Sequence, residues 1–252
     1  MFATYPSLAD RVVLISGGGS GIGAELVRAF AANAARVAFL DVVEDASSAL
    51  VDSLSDARHR PLFIPCDVRD IEALQAAIAR VRREVGPVAA LVNNAARDDR
   101  HELDDVTSAY WDENLAVNLK HFFFAIQAVR PQMRELGGGS VVNLSSIAWM
   151  RGAPRLSVYA SAKAAIVGMT RSLAGELGTD RIRINCIAPG ACVTERQLKL
   201  WYNETTLAGV IDRQCLKERL LPPDIARMAL FLAADDSRMI TKQTYVVDAG
   251  LL

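Results

Sequence analysis

Seven short apolar runs, each parted from the next by a longer and mostly helical stretch, punctuate the 252-residue chain and leave it few folds to choose from. The runs are Val12–Ile15, Val37–Leu40, Leu62–Ile64, Val88–Val92, Ser140–Leu144, Ile182–Ile187 and Thr244–Val247, and they read as strands. Between them, patterns such as Ile71, Leu74, Ile78 and Val81 lay an apolar stripe on a sheet while Arg80, Arg82 and Arg83 face water. Strands separated by helices pair in parallel rather than as hairpins. The expected fold class is therefore α/β: a Rossmann-type doubly wound parallel seven-stranded sheet flanked by helices. With 51% apolar residues the chain can bury one large core, so a single domain over 1–252 is expected. The longest stretch without a strand, Ala191 to Pro223, is apolar and aromatic, and reads as a folded substrate lid over about 191–222 rather than a tether.

The bulk numbers exclude several classes of function. A formal net charge of -1 gives no basic field for a phosphate backbone or an anionic bilayer, so neither nucleic acid nor a membrane is expected as a partner. Cys66, Cys186, Cys192 and Cys215 form no C-x-x-C pair and no cluster with the histidines, which argues against disulfides and against a metal site. The first ten residues lack a charged region followed by an apolar run, and no apolar stretch approaches the roughly 20 residues that span a bilayer. These features lead us to expect a cytoplasmic protein.

In an open parallel sheet, functional groups gather at the carboxyl ends of the strands. The first strand runs straight into Ser16-Gly17-Gly18-Gly19-Ser20-Gly21-Ile22-Gly23, and a helix follows. Glycines let the backbone turn tightly and approach a pyrophosphate, while the first amides of the helix face its charge. The loop is thus a candidate dinucleotide cradle, with Gly17, Ser20, Gly21, Ile22 and Gly23 against the cofactor. A tight strand-to-helix turn alone would need the same glycines. Asp41 ends the second strand, where a carboxylate can accept from ribose hydroxyls and would repel a 2′-phosphate. It could also serve as a turn acid or helix cap. Asp67 and Val68 follow the third strand and suit the adenine edge. Asn94 and Ala95 follow the fourth and suit the ribose.

Tyr159 and Lys163 stand four apart, so a helix projects them from one face. A phenol ionises near 10, and a neighbouring ammonium lowers that value toward the working range, making the tyrosine an acid/base candidate. Y-x-x-x-K by itself also occurs on ordinary amphipathic helices. Ser146, past the fifth strand, could meet Tyr159 in the crevice and bind the reacting oxygen. Asn118, in the helical stretch Tyr110 to Val129, could anchor a water relay to Lys163, or be a polar kink or cap.

Together these motifs resemble the short-chain dehydrogenase/reductase family over nearly the whole chain. The family's T-G-x-x-x-G-x-G appears as Ser16 to Gly23, its N-N-A-G as Asn93 to Ala96, and its Asn-Ser-Tyr-Lys tetrad as Asn118, Ser146, Tyr159 and Lys163. Its P-G motif is Pro189-Gly190, after which the chain through Cys192 and Thr194 typically holds the carboxamide. The resemblance implies NAD as cofactor, with NADP disfavoured by Asp41, and a homotetramer formed through long helices such as Ala160 to Leu177 and the last strand. Departures are Ser16 for threonine, Ala96 for glycine, and Lys242 for the glycine usual before the last strand.

Substrate class is less constrained, because this scaffold hosts many reactions. Trp149, the run Thr194-Glu195-Arg196-Gln197 with Trp201, and Asp98-Asp99-Arg100-His101 resemble bacterial pentose and hexose 1-dehydrogenases of the L-arabinose, D-galactose, L-fucose or D-xylose type. That implies a small-molecule sugar oxidised at C1 to a lactone, with Trp149, Gln197, Trp201 and His101 on the substrate side beside Ser146 and Tyr159. The tryptophans could instead be lid packing and His101 a loop cap. The alternative is a reductase of 3-oxoacyl thioesters or ketosteroids, for which Arg100, Arg151 and Arg155 would supply charge at the cleft, unless they are solvated. A catalytically silent nucleotide-binding module is disfavoured by the intact tetrad.

Overall fold

The computed structural model describes residues 2–252. The strands are β1 Val12–Ser16, β2 Arg36–Asp41, β3 Leu62–Pro65, β4 Val88–Asn93, β5 Gly139–Leu144, β6 Ile182–Pro189 and β7 Thr244–Val247. The helices are α1 Gly21–Ala32, α2 Glu44–Ser53, α3 Ile71–Glu84, α4 Ser108–Leu115, α5 His121–Glu135, α6 Ser157–Gly178, α7 Glu195–Leu200, α8 Glu204–Arg213 and α9 Pro222–Ala233. All seven expected runs are strands of one parallel sheet in the order β3-β2-β1-β4-β5-β6-β7. The chain works outward from β1 to β3, then crosses back to lay β4 on the other side of β1. That reversal opens a crevice past the carboxyl ends of β1 and β4.

Side chains alternate across the sheet because a strand repeats every two residues. Val13, Ile15, Val37 and Phe39 meet Leu26 and Phe30 of α1, Leu50 of α2 and Leu230 of α9 on one face. Val12, Leu14, Ala38 and Leu40 meet Leu74 and Ile78 of α3, Ile126 and Val129 of α5, and Leu177 of α6 on the other. Helix α3 shows why the segments between are helical: the Asp70 side chain accepts from the Ala73 amide at its start, while Arg82 and Arg83 face the negative end of its dipole.

The single helix expected over Tyr110 to Val129 is broken. Between α4 and α5, Ala116–Lys120 takes the wider π-helical turn, with Asn118 buried on it. Before β7, Lys242 adopts φ 67°, the left-handed region where a side chain is strained. Its amide donates to the Ile184 carbonyl at 2.8 Å, tying the turn to β6. The strandless stretch after β6 folds as α7 and α8 before entering α9. Among the described residues no helix is long and apolar enough to cross a membrane.

Candidate active site

The glycine loop is closed by its own backbone. Gly17 lies at φ 67°, and a Cβ there would come within 2.7 Å of the Ala95 Cα. A Cβ on Gly23 would stand 1.7 Å from the Gly17 carbonyl oxygen, so no side chain fits at the start of α1. The Ser16 hydroxyl accepts from the amides of Asn94 and Ala95 at 3.0 and 3.2 Å, so serine does the work that the family's threonine hydroxyl offers. Asn94 is a clamp as well as a wall: its amide donates to the carbonyls of Ser16 at 3.1 Å and Gly17 at 2.8 Å. Asp41 accepts from the Gly19 amide at 2.8 Å and the Val43 amide at 3.0 Å, which fixes its carboxylate beside the loop.

On the far side of the crevice, β5 and α6 bring the reactive side chains together. Buried Asn93, Asn143 and Thr170 form a chain of hydrogen bonds at 2.9 and 3.0 Å that seats α6 on the sheet. The Ser145 hydroxyl donates to the Lys163 carbonyl at 2.7 Å, and Lys163 Nζ donates to the Leu144 carbonyl at 2.9 Å. Lys163 Nζ stands 5.5 Å from the centre of the Tyr159 ring. The Ser146 hydroxyl accepts from the Ala148 amide at 3.1 Å.

The expected lowering of the tyrosine does not occur in the chain alone. Burial and the nearby Asp98 carboxylate push the Tyr159 phenol above its usual range, and only the Ser146 hydroxyl draws it down. Lys163 is instead the perturbed cation, brought down by burial to about 7. The Tyr159 hydroxyl is therefore held in its protonated form. Asn118 lies buried on the π-helical turn. Its side-chain amide donates to the Arg97 carbonyl at 3.0 Å and to Asn114 at 2.9 Å, and its oxygen accepts from the Arg97 amide at 2.9 Å. The side chain holds the loop after β4 rather than reaching toward Lys163.

One cleft of about 840 Å³ runs from the glycine loop to α7. Its walls include Gly17, Ser20, Gly21, Ile22 and Gly23 of the loop, with Asp41, Asp67 and Val68 at one end. Asn94 and Ala95, Ser146, Tyr159 and Lys163, and Pro189, Gly190, Cys192 and Thr194 continue the wall toward α7. Gln197 lines it too, placed by the Thr194 side chain, which accepts from the Gln197 amide at 3.3 Å and starts α7.

Three residues expected on the substrate side lie elsewhere. Trp149 and Trp201 are not among the lining residues. The Arg100 guanidinium stacks over the Trp201 ring at 4.4 Å, and Tyr202, the next residue, takes the cleft position. His101 is buried at the start of α6, where its Nε2 accepts from the Val158 amide at 3.4 Å. It steadies the helix that carries Tyr159, because the first turn of a helix needs acceptors.

The loop after β4 forms more of the wall than expected: beside Arg100, anticipated at the cleft with Arg151 of the loop after β5, it brings Arg97 and Asp98. Arg97 pairs with Asp99 and with Glu113 of α4, and Arg196 of α7 reaches Asp99 at 3.1 Å. Gln197 Nε2 donates to Asp98 Oδ2 at 2.7 Å, so α7 is pinned to this loop across 99 residues of sequence. The available signal was four charged residues in a row, Arg97-Asp98-Asp99-Arg100, leaving a strand at the functional edge of the sheet.

These residues fit a dinucleotide: a tight glycine cradle, an anchored carboxylate and a tyrosine–lysine pair line one continuous cleft. The family model described as enoyl-(acyl carrier protein) reductase matches residues 17–252. The chain is 50% identical over 248 residues to a protein named probable galactose dehydrogenase GalD from Rhizobium meliloti (strain 1021), covering 98% of this chain and 97% of that one. It is 48% identical over 248 residues to a D-xylose 1-dehydrogenase of Caulobacter vibrioides (strain NA1000 / CB15N), covering 98% of each. A solved structure, a blue fluorescent protein from a metagenomic library in complex with NADPH, superposes with a TM-score of 0.90 at 32% identity, covering 97% of this chain and 99% of that one. By sequence and by fold, this chain belongs to the short-chain dehydrogenase/reductase family.

Proposed function

We propose that the protein oxidises C1 of a cyclic pentose or hexose to the lactone, with NAD as the preferred cofactor. The observation that carries this reading is the convergence of Ser146, Tyr159 and Lys163 beside Gln197, in a chain about half identical to enzymes named for galactose and xylose. The bound nicotinamide would supply the hydride acceptor. The glycine loop, Asp41, Asp67, Val68, Asn94, Ala95, Pro189, Gly190, Cys192 and Thr194 would hold it, with Lys163 on its ribose.

Ser146 holds the anomeric oxygen in place for Tyr159, which takes the hydroxyl proton as C1 gives up its hydride. Lys163 steadies the phenolate by its charge. Thr194 orders α7 and so the lid. The choice of NAD rests on Asp41, since neither Arg36 nor Arg69 is placed to serve a 2′-phosphate. Arg36 opens β2, at the opposite end of the strand from the cleft, and Arg69 is committed to Asp67 at 2.6 Å and Glu113 at 2.7 Å. We also infer a cytoplasmic homotetramer assembled through α6, whose outward face carries small residues such as Ala165 and Gly168.

A second reading, reduction of a 3-oxoacyl thioester or ketosteroid, draws on Arg100 and Arg151, which line the cleft and form no ion pair among the described residues. A screen of aldoses with NAD and NADP, followed by nicotinamide absorbance, beside the reverse assay on acetoacetyl thioester and a ketosteroid, separates the two. Oxidation of no pentose or hexose together with ready reduction of a ketone sinks the aldose reading.

A further inference from the structure

We propose that Asp98 is the residue that reads the sugar: its carboxylate, held by Gln197, accepts hydrogen bonds from the ring hydroxyls next to the reacting carbon. The inference rests on the aldose reading above and names the group that would make the cleft selective for a polyol.

The geometry supplies the reason. A carboxylate offers about four lone-pair positions. Gln197 Nε2 occupies one on Oδ2 at 2.7 Å, and Arg196 Nε approaches Oδ1 only at 3.5 Å. The side chain keeps 22% of its surface open, in the same cleft as Tyr159 and Ser146. The remaining lone pairs therefore have only water or substrate to satisfy them. The Gln197 side-chain oxygen Oε1, which has no donor among the described residues, adds another acceptor. A wall built of acceptors suits a molecule whose edge is a row of hydroxyl donors. A ketone or thioester presents only acceptors there, and would leave a desolvated carboxylate facing them.

The placement has an electrostatic consequence. Asp98 lies close enough for its charge to raise both Tyr159 and Lys163. Sugar hydroxyls that donate to it would spread that charge and ease proton removal by Tyr159 once substrate is seated. Arg100, Arg151 and Arg196 share this end of the cleft, while Asp99 is held by Arg97 and Arg196. A shift in the rate profile near neutrality thus reports on Tyr159 and Lys163.

The test compares the wild type and Asp98→Asn on an oxidised aldose and on its single-deoxy analogues. The wild type should lose about ten- to a hundredfold in kcat/KM on the analogue lacking the hydroxyl that Asp98 reads. Asp98→Asn should lose a similar factor on the parent sugar, chiefly through KM, and little more on that analogue. Its oxidation profile should move to lower pH, because a negative charge beside Tyr159 is gone. NAD binding by fluorescence should match the wild type, showing an intact cofactor half. Equal losses on the parent and on every deoxy analogue, with an unmoved pH profile, overturn the proposal while leaving the aldose reading standing. If Asp98→Asn fails to fold, the wild type still decides: full activity on every deoxy analogue means that no hydroxyl is read and the proposal falls. A wild type that oxidises no aldose removes both readings together.

Discussion

Tyr159 and Asp41 each turn one local charge into a measurable property. Because burial and Asp98 raise the Tyr159 phenol, the protonated form dominates at neutral pH. Oxidation needs the phenolate, so its rate should climb as pH rises, while the reverse reduction, which uses the phenol, should fall over the same range. Parallel rate profiles in the two directions check the sign, and profiles that rise together would remove Tyr159 from the role. Tyr159→Phe keeps the ring beside Lys163 and loses only the oxygen. Turnover should drop by at least a thousandfold in order of magnitude while NAD affinity stays within a few-fold, as read by fluorescence titration. At Asp41, the carboxylate held by the Gly19 and Val43 amides should oppose a 2′-phosphate by a few kcal/mol at most. Asp41→Ala should therefore narrow the kcat/KM gap between NAD and NADP. A wild type that already prefers NADP would contradict the assignment.

At the scale of elements, the turn before β7 departs from its family pattern at a cost. Lys242 sits at φ 67° with its amide bonded to Ile184, so the chain keeps the turn although the side chain opposes it. Lys242→Gly should relieve strain of about 1 kcal/mol. The glycine's extra freedom in the unfolded chain takes back part of that gain. A rise in Tm of roughly 1–3 °C in calorimetry is the expected outcome. The π-helical turn at Ala116–Lys120 is the converse case, since its irregularity is used: it lets Asn118 reach back to both backbone groups of Arg97. That contact anchors the loop carrying Asp98, and with it the docking point of α7.

For the whole molecule, the open question is assembly. Gly168 is exposed on α6, and a Cβ added there meets nothing within 4 Å. The single chain therefore has room for a large side chain at that position. Gly168→Arg should leave the far-ultraviolet spectrum of the chain unchanged and shift the species seen by light scattering from tetramer to a smaller form. An unshifted tetramer would mean that α6 is not the contact.

What the sequence determined by itself was whatever depends on period and local backbone. Strand and helix periodicity are written residue by residue, and Gly17 and Gly23 are required by a turn spanning a few positions, so the sheet, the glycine loop and the Tyr159–Lys163 spacing were all legible. Tertiary structure alone decided which side chains share the cleft. Trp201 and His101 are aromatic residues near the right loops, yet packing set one against Arg100 and the other against the start of α6. Asp98 and Gln197 lie 99 positions apart and meet only because β4 and β6 end at the same edge of the sheet. The sign of the Tyr159 shift was equally out of reach: spacing places an ammonium one turn away, but burial and Asp98 raise the phenol, and burial belongs to the folded chain as a whole.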